Sequence, residues 1–135
     1  MTLLTMENVE RVALGAAKEW LLPRLKEHHR QGRTLHALLA FGPLVQHASA
    51  EELDLLEVVS PLAQATTADV TSEIKLDRRF LGRVTLVSMS PEGFNAAIQA
   101  SAPLVIHVLG AFKALYDASG LERRLVTARR RLLTA

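Results

Sequence analysis

The sequence predicts one α/β or α+β domain, and three observations carry that expectation. Apolar runs of strand length occur between amphipathic segments with helical spacing. Glycine and proline punctuate them, at Gly32, Gly42-Pro43, Ser60-Pro61 and Gly82. The third is size: 135 residues, 49% of them apolar. A chain of that length buries roughly two-thirds of its unfolded surface. The apolar fraction excludes intrinsic disorder.

Thr5 reads as an N-cap. After it, Val9, Val12, Leu14, Ala16, Ala17, Trp20, Leu21 and Leu25 recur at helical spacing, with Glu10, Arg11, Lys18, Glu19 and Lys26 on the other side. Pro23 lacks a backbone donor and is expected to bend this long helix or divide it. Gln31-Gly32 ends it. Thr34 to Phe41 is an apolar run bounded by glycines, which suits a buried strand. A loop or short turn follows from Leu44 to Glu51, then a second strand from Leu53 to Val59, with a helical turn as the rival on length alone.

Within Ala65 to Arg79, Val70, Ser72, Ile74 and Leu76 alternate with Thr71, Glu73, Lys75 and Asp77, favouring a half-exposed strand over a short helix. Arg83 to Met89 is a clearer strand. Ser90-Pro91-Glu92 opens a helix with proline in its first turn, running to about Ala100. A short helical or irregular segment is expected from Pro103 to Leu109, and a short edge strand from Phe112 to Tyr116. Gly120 to Leu133 is an amphipathic helix with Leu121, Leu125, Ala128 and Leu132 inward. There is no internal repeat, low-complexity tract or linker.

Composition narrows the function classes. Sixteen Lys and Arg against fourteen Asp and Glu leave a formal charge of +2, too little to mark a nucleic-acid binder. The absence of cysteine excludes disulfides, thiolate zinc sites and a cysteine nucleophile, and a reducing compartment is expected. No apolar run approaches the roughly 18 residues of a membrane helix. The stretch MTLLTMENVERV lacks the basic and apolar regions of a signal peptide. A cytoplasmic domain without membrane contact is the expectation.

The informative region is Phe41 to Val58. Glu52 and Asp54 are two residues apart on an expected strand, so their side chains share a face. Two such carboxylates are able to hold a divalent metal that bridges nucleotide phosphates. Gly42, at the preceding turn, lets backbone N–H groups approach those phosphates closely. Ordinary solvated acids at a strand edge have the same spacing, so E-x-D alone does not decide.

The order of the pieces resembles the nucleotidyltransferase superfold, in particular the minimal nucleotidyltransferases related to DNA polymerase β and the aminoglycoside-modifying enzymes. That family reads helix, strand, F-G-S-x-x-x-G, loop, S-D-x-D-L-L-V, then a later strand bearing a third carboxylate. Phe41-Gly42 matches the start of the turn motif and Asp54-Leu55-Leu56 matches its D-L-L. Ser90-Pro91-Glu92-Gly93-Phe94 is similar to the family's S-P-E-E-F helix start, and Leu115-Tyr116-Asp117 to its closing L-Y-D strand. The resemblance covers roughly residues 7 to 130 and implies an α+β (α/β) mixed sheet with flanking helices, in one domain over 1–135.

Departures from the pattern are specific. Pro43 stands where the family has its phosphate-contacting serine, and His47 where the second motif glycine would be. Glu52 replaces the first aspartate, and counting back from Ser90-Pro91 puts the third carboxylate at about Thr85. The resemblance therefore implies a degenerate site: Gly42, Pro43 and His47 toward an NTP, Glu52 and Asp54 toward weakly held magnesium, and doubtful catalysis. Minimal members commonly pair with a small helical partner in toxin–antitoxin systems, which makes such a partner an expectation here. An active magnesium-dependent transferase, moving an NMP from an NTP to a small-molecule or protein hydroxyl, is the alternative.

The remaining cations and histidines read more simply. His28-His29 suits the C-terminus of the first helix by its dipole, and His36 reads as a hydrogen-bonded core residue. No spacing such as H-x-x-H or H-E-x-x-H is present. Arg123 with Arg130, and Arg124 with Arg131, stack into a basic ridge on the last helix. Its apolar stripe needs a cover, and a homodimer is expected to supply one.

Overall fold

The central strands form where bounded apolar runs bury both faces of the chain. Residues 6–42, 52–61, 70–74, 76 and 83–134 are described by the structure, a computed structural model. Their order is α1 (Met6–Arg30), β1 (Thr34–Phe41), β2 (Glu52–Ser60), β3 (Val70–Ile74), β4 (Arg83–Met89), α2 (Pro91–Gln99), α3 (Pro103–Gly110), β5 (Phe112–Asp117) and α4 (Leu121–Thr134). The strands make one mixed sheet in the order β3-β4-β2-β1-β5. Only β2 and β4 pair in parallel; the other pairs are antiparallel. The fold is α+β.

Period-two alternation splits the core into two layers. On β2, Leu53, Leu55 and Val59 meet α1, where Ala13, Ala16 and Ala17 are buried against the sheet. Leu56 and Val58 face the other way, into a cluster with Phe94, Val105, Leu109, Leu121 and Leu125 from α2, α3 and α4. The small alanines let α1 lie close to the sheet.

Pro23 does not divide α1, which runs unbroken through it. Pro23 lies on an exposed face of the helix, so the bond its missing N–H cannot make is lost at the surface rather than against the sheet. Buried residues on both sides of it hold the helix to the sheet.

The expected strand over Thr34–Phe41 forms as read, and the helical rival for the second run is replaced by a strand one residue longer at each end. The segment from Pro103 is a regular helix, and β5 is an edge strand. Thr5, the 44–51 loop and the side chain of Leu132 lie outside the described residues.

Side chains and backbone close the helix ends. Ser90 Oγ accepts from Gly93 N at 3.0 Å with Pro91 in the first turn of α2. That helix stops in a Schellman arrangement: Ala102 N bonds Ala97 O and Ser101 N bonds Ile98 O. Ser101 occupies the left-handed position at φ 50°, where glycine is usual. Asp117, at the end of β5, accepts from the N–H groups of Leu121 and Glu122 at 2.8 and 2.9 Å and so anchors the start of α4.

Leu121, Leu125 and Ala128 are buried within the single chain, so these residues of the α4 stripe need no second copy to cover them. Among the described residues no single helix is long and apolar enough to cross a membrane.

Candidate functional site

The carboxylate corner forms where β1 ends and β2 begins. Phe41 pairs with Asp54 across the antiparallel ladder, and Gly42 turns the chain away at φ +85°. A Cβ built on Gly42 would overlap the Asp54 carboxylate, so the glycine is needed for its conformation and for the space it leaves. On the other side of β2, the parallel register sets Thr85 beside Asp54 and Arg83 beside Glu52. Paired residues share a sheet face. Glu52, Asp54, Thr85 and Arg83 are therefore neighbours on the three-helix side.

The expected placement of Glu52 and Asp54, on one face next to the Gly42 turn, is what the fold provides. The position counted from the sequence, Thr85, is the residue directly abreast of Asp54, and it carries no charge. Pro43 and His47 lie outside the described residues.

One neighbour was not foreseen. His107 on α3 packs edge-on against Phe41, with ring centroids 5.5 Å apart and planes at 88°. Burial pushes the Asp54 carboxyl above the usual aspartate range; the His107 charge opposes that shift and the Glu52 charge adds to it. His107 interrupts the most apolar stretch of the sequence, and that interruption is the signal by which it could have been found.

Among the described residues no set of three or more His, Asp and Glu side chains is gathered tightly enough to hold a metal ion by itself. Glu52 and Asp54 make two carboxylates on one face, which suits magnesium only where substrate phosphates complete the shell.

A second polar cluster lies on the opposite face of β2, and sequence reading missed it. Glu57, 1% exposed, takes a bidentate pair from Arg24, with Nη2 to Oε1 at 2.6 Å and Nε to Oε2 at 3.1 Å. Ser88 Oγ donates to Oε1 at 2.7 Å. Arg33 Nε donates to His28 Nδ1 at 2.9 Å, which leaves His28 Nε2 to carry its proton toward Glu57 Oε2 at 3.1 Å. Burial alone would raise the Glu57 carboxyl, but the bonds from Arg24, Ser88 and His28 outweigh it and hold it below the usual range. The expectation that His28 serves the helix dipole gives way here, because its ring is 2% exposed and bound to Glu57. His36 is hydrogen-bonded as expected, with Nε2 2.6 Å from Ser60 Oγ, but it is half-buried rather than part of the core. No protein-family model matches the chain, and no curated protein matches it.

Proposed function

We propose that the chain is a nucleotidyltransferase-like domain with a degenerate active site, acting in the cytoplasm as a weak nucleotide-binding or protein-interaction module. One observation carries the reading: the Asp54 carboxylate seated over the Gly42 turn, with Thr85 abreast of it in place of a third acid. Glu52 and Asp54 would hold magnesium, and the ion would supply charge neutralisation for bound phosphates. Arg83 beside Glu52 competes for one of the two carboxylates, which argues for weak retention. The exposed ridge of Arg123, Arg124, Arg130 and Arg131 supports a small acidic helical protein as partner.

The test is a calorimetric titration of the full chain with magnesium and each NTP. Weak or absent binding, further reduced in Asp54→Ala, is the expected result. Tight magnesium–NTP binding that vanishes in Asp54→Ala would overturn the degenerate reading. The second reading, an active transferase, draws support from the raised Asp54 carboxyl, since perturbed acids cluster at reactive sites. Transfer of label from an NTP to a small-molecule or protein hydroxyl would establish it.

A further inference from the structure

A cleft of about 140 Å³ lies among α2, α3 and α4, away from both carboxylate clusters. Ile98, Val105, Leu109 and Ala128 form its apolar wall, and Gln99, Ser101 and Arg131 its polar rim. Val105 and Leu109 are one turn apart on α3 and share a face, whereas His107 lies on the side that meets Phe41. The cleft and the Asp54 corner therefore use different sides of the same helix.

Its size and lining define a ligand class. An apolar cavity of about 150 Å³ accepts one benzene ring. A purely apolar void would take a neutral hydrocarbon, but this one opens at a guanidinium flanked by an amide and a hydroxyl. The mouth continues into an outer groove lined by Arg123, Arg124 and Thr127, so cations surround the opening. Arg124 is held there by its bond to Asn95 Oδ1 at 2.6 Å. Convergent cations beside low-dielectric walls attract an anion and raise its local concentration.

Ser101 holds the left-handed position of the Schellman end of α2, at φ 50°, and that helix end places it at the rim of the cleft.

We propose that this cleft binds a small organic monoanion, a carboxylate carrying one compact apolar group about the size of a benzene ring. The apolar group lies against Ile98, Val105, Leu109 and Ala128. The carboxylate meets Arg131, whose planar fork suits two carboxylate oxygens, with Gln99 and Ser101 as further donors. Inorganic phosphate fits less well, because it has nothing to place against the apolar wall.

The experiment titrates the full chain with benzoate, with its neutral counterpart benzyl alcohol, and with inorganic phosphate, followed by amide chemical shifts. Benzoate is expected to saturate shifts centred on 98–101, 105–109 and 128–131, with the alcohol and phosphate each at least about tenfold weaker, the loss of one charge-assisted pair. Arg131→Met is expected to weaken benzoate by about the same factor and leave the alcohol unchanged. Ala128→Leu fills the cleft and is expected to abolish both while the chain keeps its thermal midpoint. Val105→Phe on the facing helix repeats that test should the first variant fail to fold. Equal binding of benzoate and benzyl alcohol, phosphate binding as strong as benzoate, or no saturable shift with any probe would each overturn the proposal.

Discussion

Asp54 and Glu57 lie three residues apart on one strand, on opposite faces, and their surroundings drive them in opposite directions. Glu57 is almost wholly buried, yet a guanidinium, an imidazole and a hydroxyl hold its carboxyl low. Asp54 is only half-buried, and its carboxyl is raised. Depth does not decide ionisation here; the count of donors does. A carboxylate supplied with donors contributes to holding the fold together, whereas one desolvated beside a turn favours its protonated form.

Removing Glu57 tests the stronger half of that contrast. Glu57→Ala leaves Arg24 and His28 facing an apolar layer without an acceptor, and is expected to cost about 3–5 kcal/mol. Arg24 keeps partial exposure, its side chain being 28% accessible, which places the loss toward the lower end. Urea unfolding measures it, and a loss below about 1 kcal/mol, the range of an exposed pair, would break the comparison.

Next in size is Gly42→Ala, expected to cost about 1–3 kcal/mol through its positive φ and the overlap with Asp54. The double variant with Asp54→Ala removes the overlap but keeps the strain. A cycle of the four proteins is therefore expected to be non-additive, and additive losses would show that the glycine answers only to its backbone.

A third carboxylate sharpens the point. Burial alone would raise Asp117, but the backbone N–H groups of Glu122, Leu121, Ser119 and Gly120 hold its carboxyl low. Asp117→Ala is expected to cost about 1 kcal/mol by thermal unfolding, the usual worth of a helix cap. Unchanged stability would mean that water replaces those acceptors without penalty.

The smallest effect has the opposite sign. Because the folded Asp54 carboxyl is raised above 3.8, its ionisation opposes folding. Asp54→Asn is expected to stabilise the chain by about 0.5–1 kcal/mol at neutral pH, as replacing a residue kept for function commonly does. That gain fades as pH falls through the raised folded value and is gone well below 3.8, where both states are protonated. Glu57 runs the other way: held below 4.5, it stabilises above that pH, and its contribution is lost as pH falls through its folded value. Unfolding midpoints of wild type, Asp54→Asn and Glu57→Gln from pH 3 to 7 separate the two.

The fold was legible in the sequence because its punctuation is local. Gly32 and Gly42 bound β1, Ser90-Pro91 opens α2, and an apolar run closed by Ser60-Pro61 marks β2. The same local signals placed Glu52 and Asp54 beside the turn. Glu57 escaped notice because the second acid of LDLLEVV looks like a blemish in an apolar strand, and its partners Arg24 and His28 are 33 and 29 residues away. Pro23 does not divide its helix for a related reason: propensity speaks for the isolated helix, and tertiary anchoring on both sides overrides it. His107 reaches the corner only through the packing of α3 on the sheet, which no spacing along the chain encodes.

The Glu57 cluster also sets the register of α1. Ala13, Ala16 and Ala17 line the sheet-facing side of that helix together with Leu21. Arg24 and His28 are one turn apart, so a slip in one direction brings Trp20 and Arg24 to Glu57, and a slip in the other brings His28 and Gly32. Either displacement costs Glu57 the Arg24 guanidinium or the His28 imidazole. Where many packed helices ratchet by a turn between two seats, this one has a single notch. The helix is keyed to the sheet: it sits in that register or comes away from it.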